Sequence, residues 1–333
     1  MDRDLIMLLQ YVAMNDLPSS RMYADSFCRR NAGEFSKDFF DWLLEKLSQP
    51  VDSNISEAVK QPSSEICIPP EVSNLIVFES MADVSHKFNP RRYWVSPREQ
   101  VLMDDITQMC KIGDQLLTAQ IPYSNTTLLF GIPGTGKTQF GRYVAYILER
   151  PFIYVDLCRV MAAHQGGTGK NLQTIFEFVQ AVPCVFVMDE IDAIGANRGA
   201  ISRGGSGDEA SRTTLALMQC MDRLRQDVVV IATTNRVDML DSALKRRFSV
   251  QHEIKPFLQD ERLAMVKSYL EDVKETGHLD IVWDETDLKR QCSQIGMAQS
   301  EIINLCNRAI IRAIQTDNMV RLEEAYKLVR SSR

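Results

Sequence analysis

The stretch that most constrains the fold is residues 131–138, which match the pattern G-x-x-x-x-G-K-[ST]. An apolar run precedes this pattern and a plausible helix follows it, which is the context that such a loop needs. Glycines let the backbone curl so that several N–H groups point at one anion, and the positive end of the next helix faces the same anion. A glycine-rich turn that arose by chance would not be expected to have both an apolar run before it and a helix after it. The pattern therefore predicts a phosphate-binding loop between a strand and a helix.

The residue types in this loop define a candidate nucleotide site. Lys137 is expected to reach the β- and γ-phosphates, and the Thr138 hydroxyl is expected to ligate Mg²⁺. The residues predicted to hold the nucleotide are Gly131, Pro133, Gly134, Thr135, Gly136, Lys137, Thr138 and Gln139.

A second motif lies about fifty residues downstream, where residues 185–190 change from wholly apolar to doubly acidic. An apolar run of this length predicts a buried parallel strand, and carboxylates at its end lie where open α/β sheets bind ligands. Asp189 is expected to hold the Mg²⁺ and its water shell, and Glu190 to act as general base on the attacking water. The alternative is a strand followed by an acidic helix start. The phosphate-binding loop upstream favours the metal and the base.

Several motifs, all in one order, resemble those of the AAA ATPases within the wider AAA+ class. The resemblance extends over about residues 121–313. The segments that carry it are residues 189–194, similar to the second nucleotide motif, residues 228–235, similar to a core strand ending in a sensor asparagine, residues 240–248, similar to the second region of homology, and residues 296–302, similar to the start of the lid helix.

The resemblance implies roles for three further residues. Asn235 would lie near the γ-phosphate and help to place the water, although an asparagine can also cap a strand end. Arg246 and Arg247 would supply arginine fingers to a neighbouring subunit, where an arginine offsets charge developing on the γ-phosphate. The chain lacks the Pro-Gly that many AAA members have between these arginines and resembles katanin- and spastin-like members here. Either arginine could touch phosphate, with a slight preference for Arg247, and a solvated basic pair is the alternative.

Residues 161–172 align with the first pore loop of the AAA family. By resemblance, the aromatic residue, its apolar neighbour and the following glycine are replaced by His164, Gln165 and Gly166. Histidine is smaller and more polar than the usual aromatic residue. The replacement weakens the expectation that the loop grips an unfolded polypeptide, and a surface loop ahead of a helix is the alternative.

Composition indicates a globular chain with an ordinary apolar content. The 333 residues carry 45% hydrophobic and 25% charged residues and a formal net charge of −6, and an acidic balance argues against nucleic acid as the main partner. No apolar run reaches about 18 residues, so no membrane span is expected. The eight cysteines are scattered and the chain start has no leader pattern, which predicts reduced thiols and a cytoplasmic location.

The chain is predicted to divide into four parts. Residues 1–48 are predicted to form a small helical N-terminal domain that docks a partner, pairs with copies of itself or packs on the core. Residues 49–70 are rich in proline and serine and predict a flexible linker. Residues 71–255 would form the large α/β ATPase part with its lead-in, and residues 256–333 an α-helical lid.

Alternating strand and helix patterns predict a doubly wound parallel sheet. A capping box at Ser96 with Pro97 behind it predicts a helix start, and residues 75–78 could be a short strand or part of the lead-in. Strands are expected near residues 126–131, 152–156, 184–189, 228–233 and 250–254. Helices are expected near residues 137–149, 169–181, 208–224 and 241–247, with a helical pattern from 259 to 333.

The resemblance implies an ATP hydrolase that uses Mg²⁺ and works as a homo-oligomer, most often a hexamer ring, to remodel or disassemble a protein or protein complex. Residues 299–302 lack the arginine that many AAA+ initiators, clamp loaders and unfoldases place at this helix start. The alternative is a regulatory switch or loader whose nucleotide state controls assembly with an effector, without threading a substrate. Nucleic-acid versions of this alternative are disfavoured by the acidic charge but stay open.

Overall fold

The computed structural model describes residues 68–121, 123–162, 167–194, 205–294, 298–323 and 325. The predicted N-terminal domain, residues 1–48, and residues 49–67 of the predicted linker lie outside this part of the chain.

A six-stranded sheet forms the centre of the molecule, with the strand order β1-β3-β4-β5-β2-β6. The strands are β1 (Ile76–Glu79), β2 (Thr126–Phe130), β3 (Phe152–Asp156), β4 (Val185–Asp189), β5 (Val229–Thr234) and β6 (Val250–Glu253). The five strands β2 to β6 pair in parallel, which confirms the predicted α/β class. Their bounds agree with the predicted strands to within a few residues, because buried parallel strands leave continuous apolar runs in the sequence.

The first strand departs from a fully parallel sheet. β1 pairs antiparallel with β3, with Ile76 opposite Val155 and Glu79 opposite Phe152. It precedes the alternating units of the core and therefore has no crossover helix that would force it parallel. An antiparallel edge strand on an otherwise parallel sheet is common in such folds. The uncertain segment 75–78 thus contributes a strand to the sheet edge.

Helices pack around the sheet and form a bundle after it. The helices before and within the alternating part are α1 (Met81–Lys87), α2 (Pro97–Thr118), α3 (Lys137–Leu148), α4 (Leu157–Ala162), α5 (Thr168–Gln180), α6 (Gly205–Asp222) and α7 (Ser242–Lys245). The C-terminal helices are α8 (Gln259–Thr276), α9 (Glu285–Gln294) and α10 (Gln299–Gln315). Helix α2 begins at Pro97 as predicted, and the Glu99 N–H bonds the Ser96 hydroxyl at 3.4 Å.

Within the described part of the chain, two apolar cores hold these layers together. One lies between the sheet and the helices α2 and α3 and includes Phe140, Val187 and Ile231, all with no exposed surface. The other joins the C-terminal helices around Leu270 and Leu305. Burying large aliphatic and aromatic side chains removes apolar area from water, which is the main favourable term in folding.

The lead-in to the core and the C-terminal helices are also joined by polar contacts. The short 3₁₀ turn Pro90–Arg92 lies against α8, where Arg92 Nε donates to Asp272 Oδ2 at 2.6 Å and Asn89 Nδ2 donates to the same oxygen at 3.0 Å. Burial raises the pKa of Asp272, but these bonds outweigh it and leave its pKa below the usual range. The lead-in and α8 are therefore held together by a carboxylate that is charged at neutral pH.

Each helix in the described part of the chain is too short or too polar to cross a lipid bilayer.

Candidate functional site

The predicted phosphate-binding loop connects the end of β2 at Phe130 to the start of α3 at Lys137. Gly131 has φ +146°, and a Cβ atom there would lie 2.3 Å from the Ile254 carbonyl oxygen. Gly134 has φ +81°, and a Cβ atom there would lie 2.5 Å from Ser300 Oγ. Both positions therefore require glycine, because the backbone conformation and the close neighbours exclude a side chain.

Lys137 lies over this loop and is only 7% exposed. Its Nζ donates to the carbonyl oxygens of Gly131 and Ile132, both at 3.0 Å, and to Asn235 Oδ1 at 2.8 Å. Burial lowers the pKa of Lys137, while the carboxylates of Asp189 and Asp192 act in the opposite direction. The structure thus brings the predicted lysine and the predicted sensor asparagine into direct contact.

Asp189 ends strand β4 and receives hydrogen bonds on both carboxylate oxygens. Thr138 Oγ1 donates to its Oδ2 at 2.8 Å and Tyr154 Oη donates to the same oxygen at 3.2 Å, while Thr233 Oγ1 donates to Oδ1. The pKa of the Tyr154 phenol is raised mainly by burial and next by the charge of Asp189. The phenol therefore keeps its proton and remains a hydrogen-bond donor. Tyr154 and Thr233 were not predicted from the sequence. The available signal was their place in the two strands that flank β4, with Tyr154 at the centre of β3 and Thr233 one residue before the end of β5.

The pair Thr138 and Asp189 suits Mg²⁺. A hydroxyl oxygen and a carboxylate oxygen 2.8 Å apart are hard donors of the kind that Mg²⁺ prefers, and one or two protein ligands are usual because this ion keeps several waters. These are the two residues that the sequence predicted as metal ligands.

Glu190 lies just beyond β4 in an uncommon backbone conformation. Its φ of 55° and ψ of 46° fall in the left-handed region, and its side chain is exposed at the edge of the site. A non-glycine residue held there stores some strain, which is frequent at functional sites. Its N–H donates to Asp189 Oδ1 at 3.1 Å, so the predicted base and the predicted metal ligand share one turn.

A cysteine that the sequence did not single out lies beside this glutamate. Ligand atoms of Asp156, Cys158 and Glu190 all lie within 4.8 Å of one another. A hydrogen bond to Glu190, followed by burial and the nearby negative charge, raises the pKa of the exposed Cys158 thiol to about 12. The thiol is therefore protonated at neutral pH.

The two predicted finger arginines differ in their surroundings. Arg247 is tied to its own chain, since its Nε and Nη2 donate to the Asp222 carboxylate at 2.9 Å each and its Nη1 donates to the Ala243 carbonyl at 2.9 Å. Arg246 is exposed at the end of α7, and its guanidinium has no side-chain bond to any described residue. The arrangement favours Arg246 as the arginine available to a neighbour, in place of the slight preference for Arg247 that the sequence suggested.

A cavity of about 340 Å³ connects this polar edge to an apolar end. The polar end is lined by the loop, including Pro133, Thr135, Gly136 and Gln139, together with Asp189 and Glu190. The apolar end lies between the lead-in and the C-terminal helices, where the Trp94 and Phe257 rings meet edge-on with centroids 5.1 Å apart.

Sequence reasoning missed this apolar end. The signal that could have found it is the Tyr93-Trp94-Val95 run directly before the capping box, together with Phe257 after β6. Apolar and aromatic walls with a few polar groups are typical of small-molecule sites.

The C-terminal helices close the cavity from one side. The Ser300 N–H at the start of α10 donates to the Gly134 carbonyl at 3.0 Å, so α10 begins in contact with the loop.

The predicted pore residues His164, Gln165 and Gly166 lie outside the described residues.

Comparison with known proteins gives a family match for part of the chain. Residues 127–256 match the family "ATPase family associated with various cellular activities (AAA)". The matched segment contains the loop, strands β4 and β5 and both arginines, and it identifies this part of the chain as an AAA ATPase domain.

Relatives with curated names include the ATP-dependent zinc metalloprotease FtsH of Rhodothermus marinus, 35% identical over 56% of this chain and 26% of the relative. The proteasome-activating nucleotidase of Methanococcus maripaludis is 35% identical over 51% of this chain and 44% of the relative. The 26S proteasome regulatory subunit S10B homolog B of Arabidopsis thaliana is 32% identical over 62% of this chain and 54% of the relative. The matched part of the chain thus covers between about a quarter and about half of each of these proteins.

Proposed function

Since residues 127–256 are an AAA ATPase domain, we propose that the protein binds ATP with Mg²⁺ in the cavity between the loop and the C-terminal helices and hydrolyses it. The observation that carries this proposal is the convergence of two pairs at one sheet edge. Lys137 bonds Asn235 at 2.8 Å and Thr138 bonds Asp189 at 2.8 Å, across segments about 100 and 50 residues apart in the chain. This is the set of cation, hydroxyl, carboxylate and amide that phosphoryl transfer requires.

Each residue then has one task in the hydrolysis. The loop N–H groups and Lys137 hold the phosphates and oppose their charge. Thr138 and Asp189 would hold Mg²⁺, which would add positive charge beside the phosphates. Glu190 takes the proton of the attacking water as general base. Asn235 orients that water with its amide.

The trans arginine is the next part of the proposal. Arg246 is exposed and has no side-chain bond to a described residue, so it is free to reach the phosphates of a neighbouring copy. A site that needs an arginine from the neighbour is complete only in an oligomer. We therefore propose a homo-oligomeric ring, namely a hexamer. The katanin- and spastin-like character of the arginine segment, residues 240–248, belongs to this proposal.

A protein substrate is proposed from the names of the relatives. FtsH is named as an ATP-dependent zinc metalloprotease and the other relative as a proteasome-activating nucleotidase, so both names join the use of a nucleotide to the breakdown of proteins. We propose that this chain remodels or disassembles a protein or protein complex and that residues 164–166 face the substrate. The same proposal includes the division of the chain into residues 1–48, 49–70, 71–255 and 256–333, the last of which is the lid. It also includes a cytoplasmic location.

A second candidate is a regulatory switch or loader that assembles with an effector and threads nothing. His164 and Gln165 favour it, because polar side chains replace the aromatic and apolar pair expected for gripping. In this alternative the nucleotide state would control only assembly, and a nucleic-acid partner would show itself as a DNA- or RNA-stimulated hydrolysis rate.

The test uses the full chain with Glu190→Gln. Removing a general base typically lowers the rate about 10²–10⁴-fold, so hydrolysis should fall by that amount while ATP binding persists. Native mass with Mg-ATP should shift to about six subunits and should not shift without it. Glu271→Gln, at an exposed position on α8, is the matched control and should leave both readouts unchanged.

Two results would count against the proposal. Near wild-type hydrolysis by Glu190→Gln would remove Glu190 as the base. A protein that binds ATP yet stays monomeric or dimeric would refute the ring and favour the switch.

A further inference from the structure

The turn after β4 carries the proposed base in a backbone conformation that needs support. Glu190, with φ 55° and ψ 46°, directly precedes the 3₁₀ turn Ile191–Ala193, and the Ala193 N–H donates to the Glu190 carbonyl at 2.9 Å. A non-glycine residue in the left-handed region persists only where its surroundings hold it. The contacts that hold this turn are therefore candidates for a role in hydrolysis.

Thr234, the last residue of β5, bonds this turn to the segment after β5. It is only 1% exposed, and its Oγ1 donates to Asp192 Oδ1 at 2.7 Å while it accepts from the Arg236 N–H at 2.9 Å. A hydroxyl has one proton to donate and two lone pairs, so it serves both partners at once. The ladder between β4 and β5 ends at the pair Met188 and Ala232, so this hydroxyl extends the connection beyond the sheet.

The two segments joined by this hydroxyl carry the groups proposed to activate and orient the water. Glu190 lies two residues before Asp192. Asn235 directly follows Thr234 and accepts a bond from Lys137 Nζ at 2.8 Å. The Thr234 bond therefore sets where the base-bearing turn lies relative to the residue that orients the water. A misplacement of about 1 Å at a reacting group can lower a rate about 10²-fold.

The far end of the turn has a separate anchor. Thr214, buried on α6, donates its hydroxyl proton to the Ile194 carbonyl at 2.5 Å. Loss of the Thr234 hydroxyl would therefore shift the turn rather than release it, and the fold should persist. Thr234 is also not one of the described residues that line the cavity, so its side chain is not expected to touch a bound nucleotide.

We propose that Thr234 is a positioning residue for hydrolysis, whose hydroxyl acts through Asp192 to place the Glu190 carboxylate against the attacking water. The inference rests on the proposed ATP hydrolysis and on Glu190 as its base. Its signature is a loss of rate at saturating ATP with little change in the binding of ATP or Mg²⁺, because the hydroxyl proton goes to Asp192 and not to Asp189 or to a phosphate-binding group.

The alternative is that Thr234 acts through nucleotide binding. Burial lowers the pKa of Lys137, and the charges of Asp189 and Asp192 oppose this effect. If the Thr234 bond served mainly to hold the Asp192 charge near Lys137, its loss would weaken ATP binding. Binding and rate therefore have to be measured separately.

The test uses three substitutions in the full chain. Thr234→Val removes the hydroxyl, keeps the shape of the side chain and suits a strand, whereas Thr234→Ser keeps the hydroxyl. Thr127→Val, at a β2 threonine that is also 1% exposed, is the matched control. Hydrolysis is followed as kcat and KM, ATP affinity by displacement of a ribose-labelled fluorescent ATP analogue, and folding by urea denaturation.

Thr234→Val should lower kcat about 10–100-fold, which is the effect of misplacing a base rather than removing it. ATP affinity should change by less than about threefold, and Thr234→Ser should restore kcat to within about threefold of wild type. In the Glu190→Gln background, Thr234→Val should lower the remaining rate by less than about threefold, because residues that act as a unit are not additive. Thr127→Val should leave kcat unchanged.

Three results would overturn the proposal. The first is wild-type kcat in a folded Thr234→Val protein, and the second is a loss of kcat that Thr234→Ser does not restore. The third is a full further loss in the Glu190→Gln background, since the hydroxyl would then not act through Glu190. A parallel loss of ATP affinity would overturn it in favour of the route through Lys137.

Asp192→Ala tests the same contact if Thr234→Val does not fold. It removes the acceptor at a half-buried position and should also lower kcat, and an unchanged kcat would again overturn the proposal. An unsubstituted chain that does not hydrolyse ATP would instead refute the proposed function on which the inference rests.

Discussion

Thr233 provides the sharpest test of how Asp189, the proposed metal ligand, is held. It lies fully buried near the end of β5, and its Oγ1 donates to Asp189 Oδ1. The other described donor to this oxygen is the Glu190 N–H at 3.1 Å. Thr233→Val keeps the shape of the side chain and suits a strand, but it removes the hydroxyl donor. The Asp189 carboxylate would then keep one of its two donors to Oδ1 and be held less firmly in the position in which it faces Thr138.

The size of the effect follows from two independent considerations. A hydrogen bond to a charged group contributes about 1.5–3 kcal/mol. Loss of an outer-shell partner of a metal ligand typically weakens metal binding about 10–100-fold, which corresponds to about 1.4–2.8 kcal/mol at about 1.4 kcal/mol per factor of ten. We therefore expect Thr233→Val to raise the Mg²⁺ concentration at half-maximal ATP hydrolysis about 10–100-fold.

The assay is a Mg²⁺ titration of ATP hydrolysis at saturating ATP, together with urea unfolding to verify that the variant is folded. Thr127→Val, at another fully buried strand threonine whose hydroxyl is not a donor to Asp189, is the matched control and should leave the titration midpoint unchanged. A Thr233→Val curve that superimposes on the wild-type curve would refute the reasoning. An equal shift in both variants would also refute it, since any buried threonine would then have the same effect.

Two further predictions concern stability and thiol reactivity. Glu79→Ala removes the carboxylate that accepts two hydrogen bonds from the Arg142 guanidinium, at 3.1 Å each. Because Arg142 is partly exposed, the free energy of unfolding should fall by about 2 kcal/mol, which is below the range for fully buried pairs. A change under about 0.5 kcal/mol in urea denaturation would contradict this prediction. The exposed Cys158 thiol, with its pKa raised to about 12, should react slowly with iodoacetamide at pH 8 and progressively faster as the pH rises toward 12. Glu190→Gln should lower this pKa and speed labelling of the Cys158 peptide, as followed by mass spectrometry, and an unchanged rate would exclude the bond to Glu190 as the cause.

The sequence predicted most of the nucleotide-binding core because each element there has a local signature. The loop at 131–138 combines glycines with a lysine, and the strand at 185–189 is a continuous apolar run that ends in acid. Both signatures reflect local requirements, namely backbone curl around an anion and burial of both faces of a parallel strand. The helix start at Pro97 was predictable for the same reason, since a capping box acts within one turn.

The hydrogen-bond partners of Asp189, the proposed metal ligand, were not predictable in this way. Tyr154 and Thr233 lie 35 and 44 residues from Asp189 in the chain and become its donors only because β3 and β5 both pair with β4. Nothing in the sequence states that strand order. The antiparallel direction of β1 is a similar case, because it depends on how the lead-in reaches the sheet edge.

The arginine pair and Gln299 show the same division. The sequence placed Arg246 and Arg247 side by side, but only the packing of α6 against the α7 region gives Arg247 an acidic partner, Asp222, and leaves Arg246 exposed. In the sequence Gln299 stands only at the predicted start of the lid helix, and the fold buries its amide against the Lys255 carbonyl.

The sequence by itself therefore determined the fold class, the phosphate-binding loop and the chemical types available at the site, since these follow from local periodicity and from residues close together in the chain. Only the tertiary structure decided which donors hold Asp189, which arginine is exposed and which carbonyl the buried Gln299 amide bonds. The physical reason is that hydrogen bonding and burial depend on distances between atoms, and segments tens to hundreds of residues apart acquire those distances only when the sheet and the C-terminal helices pack.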